Sequence, residues 1–326
     1  MALSSGLDAQ VTIGEETTYG TQAAAITRGF DFNSESIKLQ ADRIESKALR
    51  SGQRVIRQLR RVHNRKGAAG DLELDVCEKG MAVLFKHMLG SVLTTTPGGG
   101  TNSRTHTCTI GDLSTRSLTV QVGRPDVSGT VRPFTYLGGK VDSWELSCDF
   151  DGILNLKLSM DFQDEVTATG LATAAYPTGG GLLTYAGGTL TLGGSSIDVT
   201  KFSLKGDNGL ATDRYMIRSS TLKKNPLQAN LIGITADIDV EFNTLTDYNR
   251  FANGTVAAFT ATFVGSIIEG AIPYQVVVTL PAVWVDGETP NVGGADILTH
   301  TLSLVATDDG TNPPITIAVQ NADTSP

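Results

Sequence analysis

Ile153-Leu154-Asn155-Leu156-Lys157-Leu158-Ser159-Met160 and Ile297-Leu298-Thr299-His300-Thr301-Leu302-Ser303-Leu304 read as one run written twice. Ile, Leu, Leu and Ser recur in place at a constant offset (297 − 153 = 144), and both runs lead into paired acids, Asp164-Glu165 and Asp308-Asp309. Apolar residues at alternate positions describe a strand with one buried face. Upstream, Leu72-Glu73-Leu74-Asp75-Val76 parallels Ile238-Asp239-Val240-Glu241-Phe242, again with one apolar and one acidic face.

The surroundings of these runs repeat as well. An Asp-Arg pair and a polar loop precede each upstream strand, at Asp42-Arg43 and Asp213-Arg214, and a short helix follows each. In the first helix Met81, Leu84, Phe85, Met88 and Leu89 form one stripe closed by Gly90. In the second, Thr244 is placed to cap with Asp247, and Leu245, Tyr248 and Ala252 give a shorter stripe. Leu118, Val120 and Val122 alternate after the first helix; Tyr274, Val276, Val278 and Leu280 alternate after the second. Each half holds one tryptophan, Trp144 or Trp284. The order strand, long loop, strand, helix, several strands thus occurs twice. It predicts a mainly β chain made of a duplicated unit, residues 1–167 and 188–326, each with one flanking helix. The seam falls at 168–187, where Ala, Thr and Gly dominate. Thr94 to Asn102, with three consecutive glycines, reads as an exposed loop.

Composition agrees with strands and turns. In 326 residues, 40% hydrophobic residues suffice for a large core, while charged residues are only 18% and glycines number 36. No apolar run reaches the ~18 residues of a spanning helix, and Met1 to Gly20 lacks the pattern of a secretory leader. Cys77, Cys108 and Cys148, odd in number and far apart, read as reduced thiols. The net charge of −8 is uneven: Arg50, Arg54, Arg57, Arg60, Arg61, Arg65 and Lys66 lie in one stretch without an acid. Setting these seven aside leaves 26 − 7 = 19 basic against 34 acidic groups, a body at −15. Val55, Ile56, Leu59 and Val62 interleave the arginines, and no aromatic residue is present for base stacking. A protein contact is the expected role of this stretch; a nucleic-acid patch and a plain solvated loop are the alternatives.

Several segments resemble the major tail tube proteins of siphophages. They are Ile13-Gly14-Glu15-Glu16-Thr17-Thr18-Tyr19-Gly20-Thr21, the run from Phe32 to Leu89 (including Glu35-Ser36-Ile37-Lys38-Leu39 and Gly70-Asp71-Leu72-Glu73-Leu74), and Pro314 to Val319. The resemblance implies a small β-sandwich or barrel with a flanking helix, closing into rings whose sheets join in an inner barrel, with rings stacked into a tube for DNA ejection. A chain with two such units would close as a trimer of pseudo-hexameric symmetry, six chains being the alternative. Implied partners are further copies of the chain, a tape measure protein, a tail terminator and distal tail proteins. DNA would pass without specific binding, and assembly would take place in the host cytoplasm, away from any membrane. Arg43 to Gly70 is expected to carry the contact between rings through Arg50, Arg54, Arg57, Arg60, Arg61 and Arg65. Glu73, Asp75, Asp239 and Glu241 are candidates for the lumen wall, where carboxylates repel phosphate; ordinary solvent-facing positions are the alternative. A phage decoration or baseplate protein and a carbohydrate-binding sandwich are the competing functional readings.

No catalytic, cofactor-binding or metal-ligating constellation is expected. His63, His87, His106 and His300 lack ligand spacing, with His87 expected on the wet side of its helix. There is no phosphate-binding loop and no nucleophile elbow. Gly138-Gly139 and Gly193-Gly194 read as hairpin turns, and Glu15-Glu16 as solvated carboxylates in a turn.

Overall fold

The computed structural model describes residues 5–292, 294–295 and 297–326. Its first half runs β1 (Gln10–Glu15), β2 (Arg28–Phe30), β3 (Ser34–Glu35), β4 (Lys38–Glu45), β5 (Arg61–Asp75), α1 (Ala82–Leu89), β6 (Gly90–Thr95), β7 (Arg104–Ile110), β8 (Leu118–Pro125), β9 (Val131–Asp149), β10 (Asn155–Phe162) and β11 (Asp164–Val166). Its second half runs β12 (Gly188–Leu192), β13 (Ser195–Ile197), β14 (Val199–Asp207), β15 (Gly233–Glu241), α2 (Leu245–Asn253), β16 (Ala257–Glu269), β17 (Ile272–Asp286), β18 (Thr299–Ala306) and β19 (Thr316–Asn321). The protein is mainly β, as expected. All these strands pair antiparallel into one 19-stranded sheet. Among the described residues the sheet does not close on itself, so the single chain is not a barrel, and its end strands keep unpaired edges.

The sheet folds into an inner layer and two outer ones. Along the inner layer the order is β4-β5-β10-β9-β14-β15-β18-β17. One outer layer is β2-β1-β8-β9-β11. The other is β6-β7-β19-β17-β16-β12-β13, so a hairpin of the first half extends the outer sheet of the second. The long strands β9 and β17 serve both layers, with the first part of each in an outer sheet and the last part in the inner one.

Each long strand bends where it changes layer. In β9 the bend is at Gly138, whose φ of +68° is the left-handed region that favours glycine. A side chain there would meet the Tyr19 ring and Gln163 at about 3 Å. Gly138-Gly139 is therefore a kink inside a strand rather than a hairpin turn. In β17 the pairing register shifts between Ala257/Phe259 opposite Val283 and Leu280, around Pro281, a residue tolerated at such a bulge because it has no N–H to donate. Gly193-Gly194, both at positive φ, do form the β12–β13 hairpin turn.

The two repeated runs prove to be hydrogen-bonded partners. Leu72 faces Leu158 and Leu74 faces Leu156 between β5 and β10. Ile238 faces Leu302 and Val240 faces His300 between β15 and β18, at matching positions of the repeat. Register is fixed by which face is apolar, and the two halves carry the same solution. Other correspondences read from the sequence do not hold in place. Tyr274 to Leu280 lies on β17, whose counterpart is β9, not β8. The tryptophans differ too: Trp144 is buried against Gly206, while Trp284 is 44% exposed beside the C-terminus of α2. Asp42-Arg43 sits on β4, whereas Asp213-Arg214 lies in the irregular stretch after β14.

Apolar residues from all layers meet in one core. Phe202 on β14 packs against Phe259 and Phe263 on β16, with ring centroids 6.1 and 5.9 Å apart. Tyr136 on β9 meets Phe162 on β10 at 5.4 Å. Helix α1 is almost wholly buried, its stripe turned inward and Gly90 at φ +102° closing it. Its capping glycine and stripe behave as the sequence predicts, but His87 is buried, not wet. Helix α2 is capped by Thr244, whose hydroxyl accepts the Thr246 N–H; Asp247 turns to Arg250 instead, and no residue of α2 is buried. Residues 168–187 run as a strap along the first half, where Gly29 N–H donates to Ala175 O and Leu183 N–H to Val76 O.

Candidate functional site

The inner layer has one apolar face and one polar face, because each of its strands alternates. Leu72, Leu74, Leu156, Leu158, Leu146, Leu204, Ile238 and Leu302 are all fully buried on the core side. The other side is open. Its paired rows run Glu73–Lys157–Glu145–Lys205–Thr235 and Asp75–Asn155–Ser147–Ser203–Asp237–Ser303. Glu73, Asp75, Asp239 and Glu241 all stand on this face, joined by Asp71, Glu145, Asp149, Asp207, Asp237 and Asp286. Against these ten carboxylates stand four lysines, Lys38, Lys157, Lys201 and Lys205, so the face is strongly acidic. Near its centre is a shallow groove of about 370 Å³ lined by Ser143, Glu145, Lys157, Ser159, Lys205 and Asp207.

Neighbouring strands hold the carboxylates in place. Ser159 donates to Asp71 at 2.6 Å, Ser203 to Glu145 at 2.7 Å, and Thr301 to Asp239 at 2.6 Å. The Ser159 hydrogen bond, with help from Lys157, keeps the Asp71 carboxyl below its usual range and therefore ionised. Lysines bridge rather than dominate: Lys205 lies 3.9 Å from Glu145 and 3.6 Å from Asp237. Besides the four acids it names, sequence reading missed Asp71, Asp237 and Asp286 and the acids of β9 and β14; β9 and β14 carry serine, lysine and glycine among their polar positions and so lack the clean acid-apolar alternation.

The second surface is the arm formed by β4, the start of β5 and the loop between them. Every residue of β4 is exposed, as are Arg61 to Arg65. Leu49, at 101%, and Leu59, at 90%, are as open as side chains can be. The basic stretch is less free than its sequence suggests, since β4 supplies acids that the stretch itself lacks. Arg61 pairs with Glu45 at 3.1 Å. Arg65 reaches Asp42 at 2.7 Å and lies over the Tyr215 ring. Arg50, Arg54, Arg57 and Arg60, at and near the tip, have no ion-pair partner among the described residues.

The corresponding loop of the second half, between β14 and β15, does not project. It folds back on the first half, where Lys66 N–H donates to Thr221 O and the Gln163 amide donates to Lys223 O. Lys223 forms a buried ion pair with Asp161. Burial pushes the Asp161 carboxyl up to about 6, with Lys223 opposing.

Remaining polar residues are structural. His106 is buried between Thr94 Oγ1 at 2.9 Å and Asp323 O at 3.1 Å. The glycine-rich loop at 98–102 is pinned by Glu269, whose carboxylate accepts the N–H groups of Thr101, Asn102 and Ser103. The three thiols are unpaired, and burial pushes Cys108 up to about 12 and Cys148 up to about 11. Among the described residues no His, Cys, Asp and Glu cluster is placed to hold a metal ion. No described helix is long and apolar enough to cross a membrane.

An acidic sheet face, free edges at both ends of the same sheet, and a projecting arm are features of a building block. None of the curated proteins matches the chain. The family model described as phage tail tube protein matches residues 6–306. The chain accordingly belongs to the phage tail tube protein family, a structural component of the virion tail that assembles into a tube.

Proposed function

We propose that three copies of this chain close into a ring, that rings stack through the arm, and that the acidic face lines the conduit for DNA ejection. The observation that carries the reading is the β9–β14 junction. There the four inner strands of the first half, β4-β5-β10-β9, continue directly into those of the second, β14-β15-β18-β17. The chain thus contains one joint between two tube units of a duplicated fold, residues 1–167 and 188–326. The unpaired edges of β4 and β17 are the two halves of a second such joint. Exposed edges recruit strands, and a head-to-tail contact that closes leaves none free. Three chains of eight inner strands give 3 × 8 = 24 strands. At ~4.8 Å per strand and ~40° of tilt, such a barrel is roughly 45–50 Å across between backbones, wide enough for a DNA duplex.

The contrast between the helices supports the same reading. Helix α1 lies behind the internal junction, where Asn208, just after β14, donates to Met88 O at 3.0 Å and to Val141 O at 2.9 Å. Helix α2 lies beside the free edge of β17 and is exposed, as expected of a helix whose cover comes from the next copy. Electron microscopy of the concentrated full-length protein tests the proposal. Stacked rings of three chains are the expected result; rings of six chains, or single chains persisting across salt and concentration, overturn it.

A further inference from the structure

The internal junction also specifies the register at which two copies meet. We infer that Lys38, Leu39 and Gln40 on the β4 edge of one copy pair with Glu288, Gly287 and Asp286 at the β17 edge of the next. This rests on the ring reading, and adds to it the identity of the contacting residues.

The correspondence follows from pairing. Lys38 faces Ala69 on β5, as Lys205 faces Thr235 on β15, so Lys38, Leu39 and Gln40 take the places of Lys205, Gly206 and Asp207. Ser143 faces Ser159 on β10 as Asp286 faces Ser303 on β18, so Asp286, Gly287 and Glu288 take the places of Ser143, Trp144 and Glu145. Within the chain, Lys205 pairs with Glu145, Gly206 with Trp144 and Asp207 with Ser143. Transferred to the free edges, these pairings become Lys38 with Glu288, Leu39 with Gly287 and Gln40 with Asp286.

Two independent properties of the transferred pairs fit. Charge is conserved: the Lys205–Glu145 contact of the internal joint becomes Lys38–Glu288, again a lysine opposite a glutamate. Size is conserved by exchange. Inside the chain the large residue is on β9, and Gly206 makes room for Trp144, since a side chain at Gly206 would lie 2.2 Å from the indole. Between chains the large residue is Leu39, 40% exposed in the single chain, and the small one is Gly287. A slip of one residue would set Leu39 against a charged side chain and carry Lys38 to the apolar side of the sheet. Both segments are available, because among the described residues β4 bonds only β5 and Trp284 to Asp286 bond only β18.

Charge reversal in the full-length chain tests the register. K38E and E288K should each raise the concentration needed for assembly by about 5-fold or more, and K38E/E288K should restore it. Unchanged melting temperatures of the unassembled chains would show that folding is intact. As a second measure, K38C/E288C in a C77S background should give covalently closed trimers on oxidation, whereas K38C/D286C should not. If wild-type rings hold three chains but the double reversal fails to rescue, or the shifted cysteine pair links equally well, the register is wrong and the ring stands. If wild type forms no three-chain ring, both fall together.

Discussion

Glu15 and Glu16 are neighbours on the chain with different environments. Glu16 is buried, and its carboxylate accepts from Thr119 Oγ1 at 2.9 Å, from the Gly20 N–H at 2.9 Å and from the Gly138 N–H at 2.8 Å. It thereby braces the kink of β9. Glu15 sits at the end of β1, next to Lys86 and to the buried His87 at 2.7 Å. Burial holds His87 below its usual range, so at neutral pH the imidazole is uncharged and donates one N–H to Glu15. That hydrogen bond first, and Lys86 next, draw the Glu15 carboxyl down to about 2 from 4.5. A carboxyl whose folded value is depressed stabilises the fold above its unfolded value and loses that contribution as pH falls through the folded one. Glu15→Gln should therefore lower stability at pH 7, by no more than about 1 kcal/mol because the group is partly exposed. The difference should close between pH 4.5 and 2. Thermal melts of both proteins across that range check it; a gap that is constant in pH would mean that packing, not charge, is what Glu15 supplies. Neither environment was legible from two adjacent glutamates, since their partners lie as far along the chain as Gly138 and Thr119.

At the scale of elements, legibility followed locality. The strands of the repeat and helix α1 were readable because alternation and the i, i+3, i+4 stripe are properties of a few consecutive residues. The arm was recognised as a projecting basic segment for the same reason. Its charge balance was misjudged, because the acids that neutralise Arg61 and Arg65 arrive from β4 across the hairpin. This narrows the candidate contact to Arg50, Arg54, Arg57 and Arg60, with Leu49 and Leu59 as apolar anchors beside them. Four uncompensated cations next to exposed leucines match a protein surface with acids around a hydrophobic centre. Reversing all four to glutamate should leave rings intact and reduce stacking at least tenfold, seen as isolated rings in electron micrographs. Wild-type tubes should likewise shorten as salt rises. Stacks of normal length in the variant would return the arm to a solvated loop or a nucleic-acid contact.

For the whole molecule, the acidic face is a property of eight strands together. Only its β5 and β15 members were visible as alternating acids; the rest emerge because antiparallel pairing sets Glu145, Asp149, Asp207 and Asp286 in line with them. A conduit lined this way repels phosphate along its whole length, and repulsion leaves no site at which a passing duplex can pause. The sign of the face, rather than any single residue, carries the effect, so it should be reversible by changing a few exposed positions. Glu73→Lys with Glu241→Lys moves each chain by four charge units on this face and each three-chain ring by 3 × 4 = 12. Tubes of this variant should form, since neither side chain enters the core. They should retain duplex DNA that wild-type tubes release at physiological salt. Retention should weaken linearly in the logarithm of salt concentration, with a slope that counts the phosphates neutralised. Co-sedimentation of labelled duplex with purified tubes reads both quantities. Equal release from wild-type and variant tubes would place the acidic face outside the lumen, and with it the orientation of every chain in the ring would have to be reversed.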